Sequence, residues 1–364
     1  MATNKNQHFV PRCYLKHFTV DKANAAINLF NIDRLRFIPN APVKNQCSGD
    51  YFYGKDEKLE TAIQSIESAY GNVLKEILKP GYLLTHDHRD VLRIFWIFQH
   101  LRTEAASKRA VEVSDDTFND IGADPSYFSF QIQEAVQIAM HAFADSMSIA
   151  DDLKVCLIRN KTDVPFITSD DPAILTNRWY LEAKKTKGMS FGMRDAGALL
   201  LLPLTPDTYF ICYDQNLYNI SNKNGWLNLR NRADVEILNE FQVLHCRANL
   251  FLQQENHEEH LRNFVVKHKS CRLKSRHQIN YAVFDGVENG RHKRYKVVDK
   301  AEFKKHEDGI IHMQSIHPRP SSWPSFLLRN NRGVVYYNGT GVGYVRSAHA
   351  TGGDLPFRKV PAYS

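Results

Sequence analysis

Apolar residues at Leu59, Ile63, Ile66, Tyr70, Val73, Leu74 and Ile77 recur every three or four positions, the period of a helix that buries one face. The spacing predicts a helix over 58–78, stopped by Pro80-Gly81, with Glu60 and Glu67 together on one side. The next apolar set, Val91, Leu92, Ile94, Phe95, Trp96, Ile97, Phe98 and Leu101, leaves no polar face. It predicts a central, buried helix running to about 109, with Thr85 or Asp87 as its cap. A polar, acidic stretch over 115–125 reads as a loop. A third helix is predicted over 130–147 from Ile132, Val136, Met140, Phe143 and Met147.

From 154 the period changes to two, the signature of strands. Residues 154–159 and 165–169 read as a hairpin turning at Asn160-Lys161-Thr162-Asp163, and 198–204 with 207–213 as a second pair around Pro203-Leu204-Thr205-Pro206. Residues 25–37 read as a further strand pair around Asn31-Ile32-Asp33. Over 234–248 the helical period returns with Val235, Leu238, Phe241 and Leu244. A mostly helical half, then an antiparallel β-rich half and a closing helix define an α+β domain over 1–255. Past His257 the composition shifts. Residues 256–364 read as a basic extension or small domain, with short strands near 281–284, 295–298 and 334–337 and a terminal tail.

Charge sharpens that division. The 364 residues carry a formal net charge of +7, yet 261–300 alone hold eleven Lys or Arg against three Asp or Glu. This local excess of +8 leaves the rest of the chain close to neutral, so an anionic partner, RNA or DNA, is expected at that segment. Six cysteines lie far apart with no Cys-x-x-Cys pair; they read as reduced thiols of a cytoplasmic protein rather than a zinc site. His257-Glu258-Glu259-His260 lacks the zinc-protease spacing, and Gly339-Thr340-Gly341-Val342-Gly343 lacks the lysine of a phosphate loop. No metal ligand set is assigned. The longest apolar runs are too short to cross a bilayer.

Candidate chemistry lies in three places. Near the N-terminus, Pro11 fixes its own φ and holds Val10 extended, so His8, Phe9 and Val10 enter as an arm. A short helix over 12–18 follows, with Tyr14, Leu15 and Phe18 on its core face. In the buried helix, Gln99, His100, Arg102 and Thr103 lie within about one turn. A buried arginine needs a carboxylate or an anionic ligand, and Glu60 or Glu67 would serve. At the end of the predicted hairpin stands Ser169-Asp170-Asp171-Pro172, where an Asx-type turn accounts for one aspartate. Together these predict a composite site: His8 as general acid or base, Asp170 orienting it or holding a divalent cation, and Arg102 with Gln99 on a phosphate, beside Tyr14. Ser169, Asp171 and Asn239 would bind, and Arg272, Lys274 and Arg276 of the basic segment would hold the polymer. This describes a nucleic-acid-directed hydrolase acting on phosphodiester bonds. The other class is a non-catalytic nucleic-acid- or protein-binding regulatory module whose buried polar residues are structural.

His8-Phe9-Val10-Pro11-Arg12-Cys13-Tyr14-Leu15, Cys47 with Phe52-Tyr53, Gln99 with Arg102-Thr103, Phe166-Ile167-Thr168-Ser169-Asp170-Asp171-Pro172, Pro203-Leu204-Thr205-Pro206 and Asn239 together resemble the prokaryotic domain-of-unknown-function family 4238, over about 6–250. The resemblance implies a shared fold and site, and no particular reaction. The chain departs from the family pattern at Arg12 and Cys13, where uncharged and aromatic residues are commoner, and at Asp171, where asparagine is frequent.

Overall fold

The computed structural model describes residues 5–21, 24–121, 131–288, 292–304, 308–352 and 355–363. The chain forms an α+β fold. After the short helix α1 (Arg12–Leu15) come the long helices α2 (Glu57–Ile77), α3 (His86–Arg102), α4 (Glu104–Ile121) and α5 (Ile132–Ser146). Each long helix starts at a side-chain cap. Asp56 accepts from the Lys58 and Leu59 amides ahead of α2, Thr85 accepts from His88 ahead of α3, and Gln131 with Glu134 forms a capping box at α5. Helix α3 is central, as its all-round apolar pattern predicts. Phe95 stacks on Tyr70 with ring centroids 3.6 Å apart, and the Trp96 indole donates to the Leu201 carbonyl at 3.0 Å.

Where one helix to about 109 was expected, the chain breaks at Thr103, whose ψ of 155° is extended. The break has a chemical cause. The Thr103 hydroxyl accepts from the Ala106 amide at 3.1 Å, which caps α4, and donates to Asp171 at 2.8 Å. Helix α4 then runs through the first part of the stretch expected as a loop; 122–130 lies outside the described residues.

Two sheets cover the helices. A five-stranded sheet has the order Trp226–Leu229, Lys154–Asn160, Thr208–Tyr213, Leu199–Thr205, Ile174–Thr176, parallel at its first pairing and antiparallel elsewhere. All seven residues of Leu199–Thr205 are buried, which is why that strand reads as a continuous apolar run. A four-stranded sheet has the order Arg36–Pro42, Ala26–Asn31, Asn249–Leu252, Thr168–Ser169. The hairpin expected between 154–159 and 165–169 does not form. Asn160 closes the turn with its own side chain, donating to the Val164 carbonyl at 2.7 Å, and Pro165 has no amide to offer a ladder. The chain then crosses over, and Thr168–Ser169 pairs with Asn249–Leu252 in the other sheet.

The closing helix α6 (Arg232–His245) forms as its period predicts. Beyond it, His292–Val298, His277–Glu288 and Gly309–Ser315 make a three-stranded antiparallel sheet. The terminal residues are not a tail. Arg358–Pro361 pairs with Val334–Tyr337, and the Trp179 indole donates to the Ala362 carbonyl at 3.1 Å. Ser321 and Ser325 each give an amide and a hydroxyl to the buried carboxylates of Glu240 and Asp234 on α6. All six cysteines are free thiols. Among the described residues no helix is long and apolar enough to cross a membrane.

Candidate functional site

His8 ends the short strand Asn6–His8, which pairs with Ser48–Asp50. It reaches Arg102 through its backbone: the His8 carbonyl accepts from Arg102 Nη2 at 2.6 Å and from the Tyr53 hydroxyl at 3.1 Å. The imidazole is half-buried on a cleft of about 160 Å³ shared with Arg12, Glu60, Glu67 and Arg102. Burial and the nearby Arg12 charge lower its pKa, so it is uncharged at neutral pH. Arg102 is wholly buried. It donates to Tyr53 at 2.7 Å and to Glu67 at 2.8 Å, with its guanidinium 4.2 Å over the Phe98 ring. Gln99 donates to the Phe9 carbonyl at 2.9 Å. Tyr14 points elsewhere, with its hydroxyl between Thr168 at 2.6 Å and the Pro203 carbonyl at 2.7 Å.

The Ser169-Asp170-Asp171-Pro172 corner is a second polar group, held against α6. Ser169 donates to Gln242 at 2.7 Å, Gln242 donates to the Pro172 carbonyl, and Asn239 bonds both the Ile167 amide and the Pro165 carbonyl. Asp170 accepts three backbone amides, from Arg247 at 2.7 Å and from Ala248 and Asn249 at 2.9 Å. Burial pushes its carboxyl up to about 6, against the three donors that favour the charged form. The corner and the Arg102 network face different ways: Arg102 turns to the N-terminal arm, while its neighbour Thr103 holds Asp171.

Asp171 leads to a cavity that the sequence reading did not anticipate. Its other oxygen accepts from Arg109 at 2.7 Å, and both residues line a space of about 280 Å³ with His100, His245, Arg276 and His317. The three imidazoles are positioned from separate elements. His100 Nδ1 lies 2.8 Å from the Ala173 carbonyl, with its ring stacked on Trp96. His317 Nε2 lies 3.0 Å from the Phe191 carbonyl, stacked on the Phe191 ring at 3.8 Å. His245 is buried, its Nδ1 lies 3.5 Å from Arg276, and its Nε2 has no partner. Burial, aided by the arginines, holds all three below the usual histidine range, His317 down to about 3.

Arg276 is half-buried and, among the described residues, carries no salt bridge. Its Nη2 donates to the Leu244 carbonyl at 2.8 Å, and burial together with the Arg109 charge lowers its pKa to about 10. Arg272 likewise donates to the Cys246 and Arg247 carbonyls, so both arginines cap the end of α6. Lys274 is exposed. Among the described residues no group of three His, Cys, Asp or Glu is placed to hold a metal ion. Of the cavity residues, the sequence reading assigned roles only to Asp171 and Arg276. His245 and His317 stand in no recurring pattern, and no local signal marks them.

Fold and cavity together define an α+β protein with a cationic, histidine-lined pocket where its core meets its C-terminal segment. A family model described as "Protein of unknown function (DUF4238)" matches residues 6–256, and the chain belongs to that family. No curated protein and no solved structure matches the chain. His100, Arg109, Asp171 and His245 lie within the matched span, and Arg276 and His317 beyond it.

Proposed function

We propose that the protein binds a small phosphate-bearing ligand in the cavity between its core and its C-terminal segment, and that the buried motif residues around Arg102 and Asp170 are structural. The observation that carries this is Arg276, a half-buried guanidinium whose side-chain partners among the described residues are a carbonyl and an imidazole. A partly desolvated cation is stabilised by a counter-ion, and two guanidiniums against one carboxylate leave room for an anion. Their planar forks suit phosphate oxygens. The N–H of a neutral imidazole adds a further donor for a phosphate oxygen.

Calorimetric titration of the full chain with inorganic phosphate and methyl phosphate is the test. Arg276→Gln should weaken binding roughly ten- to a hundredfold, the loss of one charge-assisted contact. Arg272→Gln, which removes a similar cap outside the cavity, should leave it unchanged. Equal losses in both variants would assign Arg276 to the helix end alone.

Phosphodiester hydrolysis in this cavity is the second reading, favoured by His245, which lines it with both arginines and whose buried Nε2 has no partner among the described residues. It relocates the acid-base role from His8. Cleavage of single-stranded RNA or DNA that is lost in His245→Gln would support it; intact polymer after prolonged incubation would remove it.

Nucleic acid would be held weakly. Within 261–300, Arg272 and Arg276 are committed to carbonyls, and Arg262, Lys293 and Arg294 to carboxylates. Lys269 also bonds a carbonyl, and among the described residues Lys267, Lys274 and Lys296 remain for phosphates. With about three contacts, raising salt from 50 to 200 mM should weaken binding roughly twenty- to fortyfold. A salt-independent titration would exclude this docking.

A further inference from the structure

The hydrogen bonds around the cavity fix where its protons sit, and with them the charge it accepts. A backbone carbonyl only accepts, so the ring nitrogen facing it must be the N–H. His100 therefore carries its proton on Nδ1, toward Ala173, and His317 carries its own on Nε2, toward Phe191. In each ring the other nitrogen is a lone pair. His245 is the reverse: its Nδ1 faces the guanidinium of Arg276, which only donates, so the buried, unpartnered Nε2 is an N–H with nothing to receive it. His245 is thus a donor already in place, while His100 and His317 can each gain a proton without losing a hydrogen bond.

The permanent charges are Arg109 from α4, Arg276 ahead of the strand His277–Glu288, and Asp171 from the corner before Pro172. They leave one positive charge. An internal phosphodiester, with a single negative charge, would balance it and need no proton. A phosphate monoester carries about −1.5 to −2 at neutral pH, and the surplus would be a buried, uncompensated charge, which is costly.

We propose that the ligand presents a terminal phosphate, a dianionic monoester, and that the cavity takes up one proton with it on His100. This rests on the phosphate reading given above. His100 is preferred over His317 because it lies beside the Asp171 corner: its Nδ1 bonds the carbonyl of Ala173, two residues past Asp171, and Thr103, at the end of the same helix, holds the Asp171 carboxylate. Arg109 opposes a proton on either ring, Asp171 favours one on His100 alone, and Arg276 further opposes one on His317. The same arrangement discriminates against the internal phosphates of a nucleic-acid strand and favours its end, or a small phosphorylated molecule.

Calorimetry of the full chain with methyl phosphate and with dimethyl phosphate, in two buffers of different ionisation heat, reads the proton directly. Methyl phosphate should bind at least tenfold tighter, with close to one proton taken up per ligand at pH 7.5. Its affinity should fall about tenfold from pH 7 to pH 8, since a proton bound with the ligand becomes scarcer. Dimethyl phosphate should bind without uptake. His100→Gln should abolish the uptake and leave dimethyl phosphate binding intact, which also shows that the variant is folded. Equal affinity for the two esters, monoester binding with no uptake, or undiminished uptake in His100→Gln would each overturn this inference alone. Failure of every phosphate to bind would overturn the phosphate reading with it.

Discussion

Arg102→Ala should lower the stability of the fold by roughly 3–5 kcal/mol, the range for breaking one side of a buried ion pair. The guanidinium is fully buried and serves three partners at once: Glu67, the Tyr53 hydroxyl and the His8 carbonyl. Truncation leaves Glu67 and the Tyr53 oxygen without this donor, leaves the His8 carbonyl only the Tyr53 hydroxyl, and opens a void over the Phe98 ring. Because the Glu67 side chain is a quarter exposed, water can reach its carboxylate, which places the expectation at the lower end of that range. Glu67→Gln in the same chain should recover part of the loss, since a neutral amide is cheaper to leave unpaired. Urea denaturation of the two single variants and the double variant measures both numbers. A cost below about 0.5 kcal/mol, typical of surface positions, would show that Arg102 does not hold the arm.

Asp170→Asn should cost roughly 3 kcal/mol, although the replacement is nearly isosteric. One carboxylate oxygen accepts the Arg247 amide and the other accepts those of Ala248 and Asn249. An amide side chain offers only one oxygen, so whichever way it turns, its NH₂ meets at least one backbone N–H head on. Each lost bond to a charged acceptor is worth about 1.5–3 kcal/mol. The clamped residues lead into the strand Asn249–Leu252, so the four-stranded sheet should loosen first. Hydrogen exchange of the amides in 247–252 is the sensitive readout. Unchanged protection there in Asp170→Asn would show that the loop holds itself.

What was legible in the sequence was whatever depends on neighbours along the chain. Helix α2 follows from its own apolar rhythm, and its spacing placed Glu60 and Glu67 as the two carboxylates Arg102 could use; the packing of α2 on α3 selects Glu67. Features set by distant residues were not legible. Thr103 breaks a helix because Asp171 and the Ala106 amide hold its hydroxyl, and no propensity encodes that. The strand Lys154–Asn160 and the segment after Pro165 have the periodicity of a hairpin, yet their partners come from 208–213, 226–229 and 249–252. The motif residues around Asp170 stood out as polar groups in apolar surroundings, and burial is what they share. The cavity residues come from α3, α4, α6, the Asp171 corner and both flanks of the C-terminal sheet, so only the folded chain brings them together.

The two arginines at the end of α6 bear on how this protein could have been assembled. The last carbonyls of that helix belong to the family-matched span, whereas the guanidiniums that satisfy them, Arg272 and Arg276, are encoded after it. A gene fusion that attached an unrelated C-terminal piece at position 256 would leave the negative pole of α6 bare and the cavity without Arg276 and His317. The two stretches of this chain are therefore constrained to be inherited together, and a family member with a different continuation must terminate this helix, and close this pocket, by other chemistry.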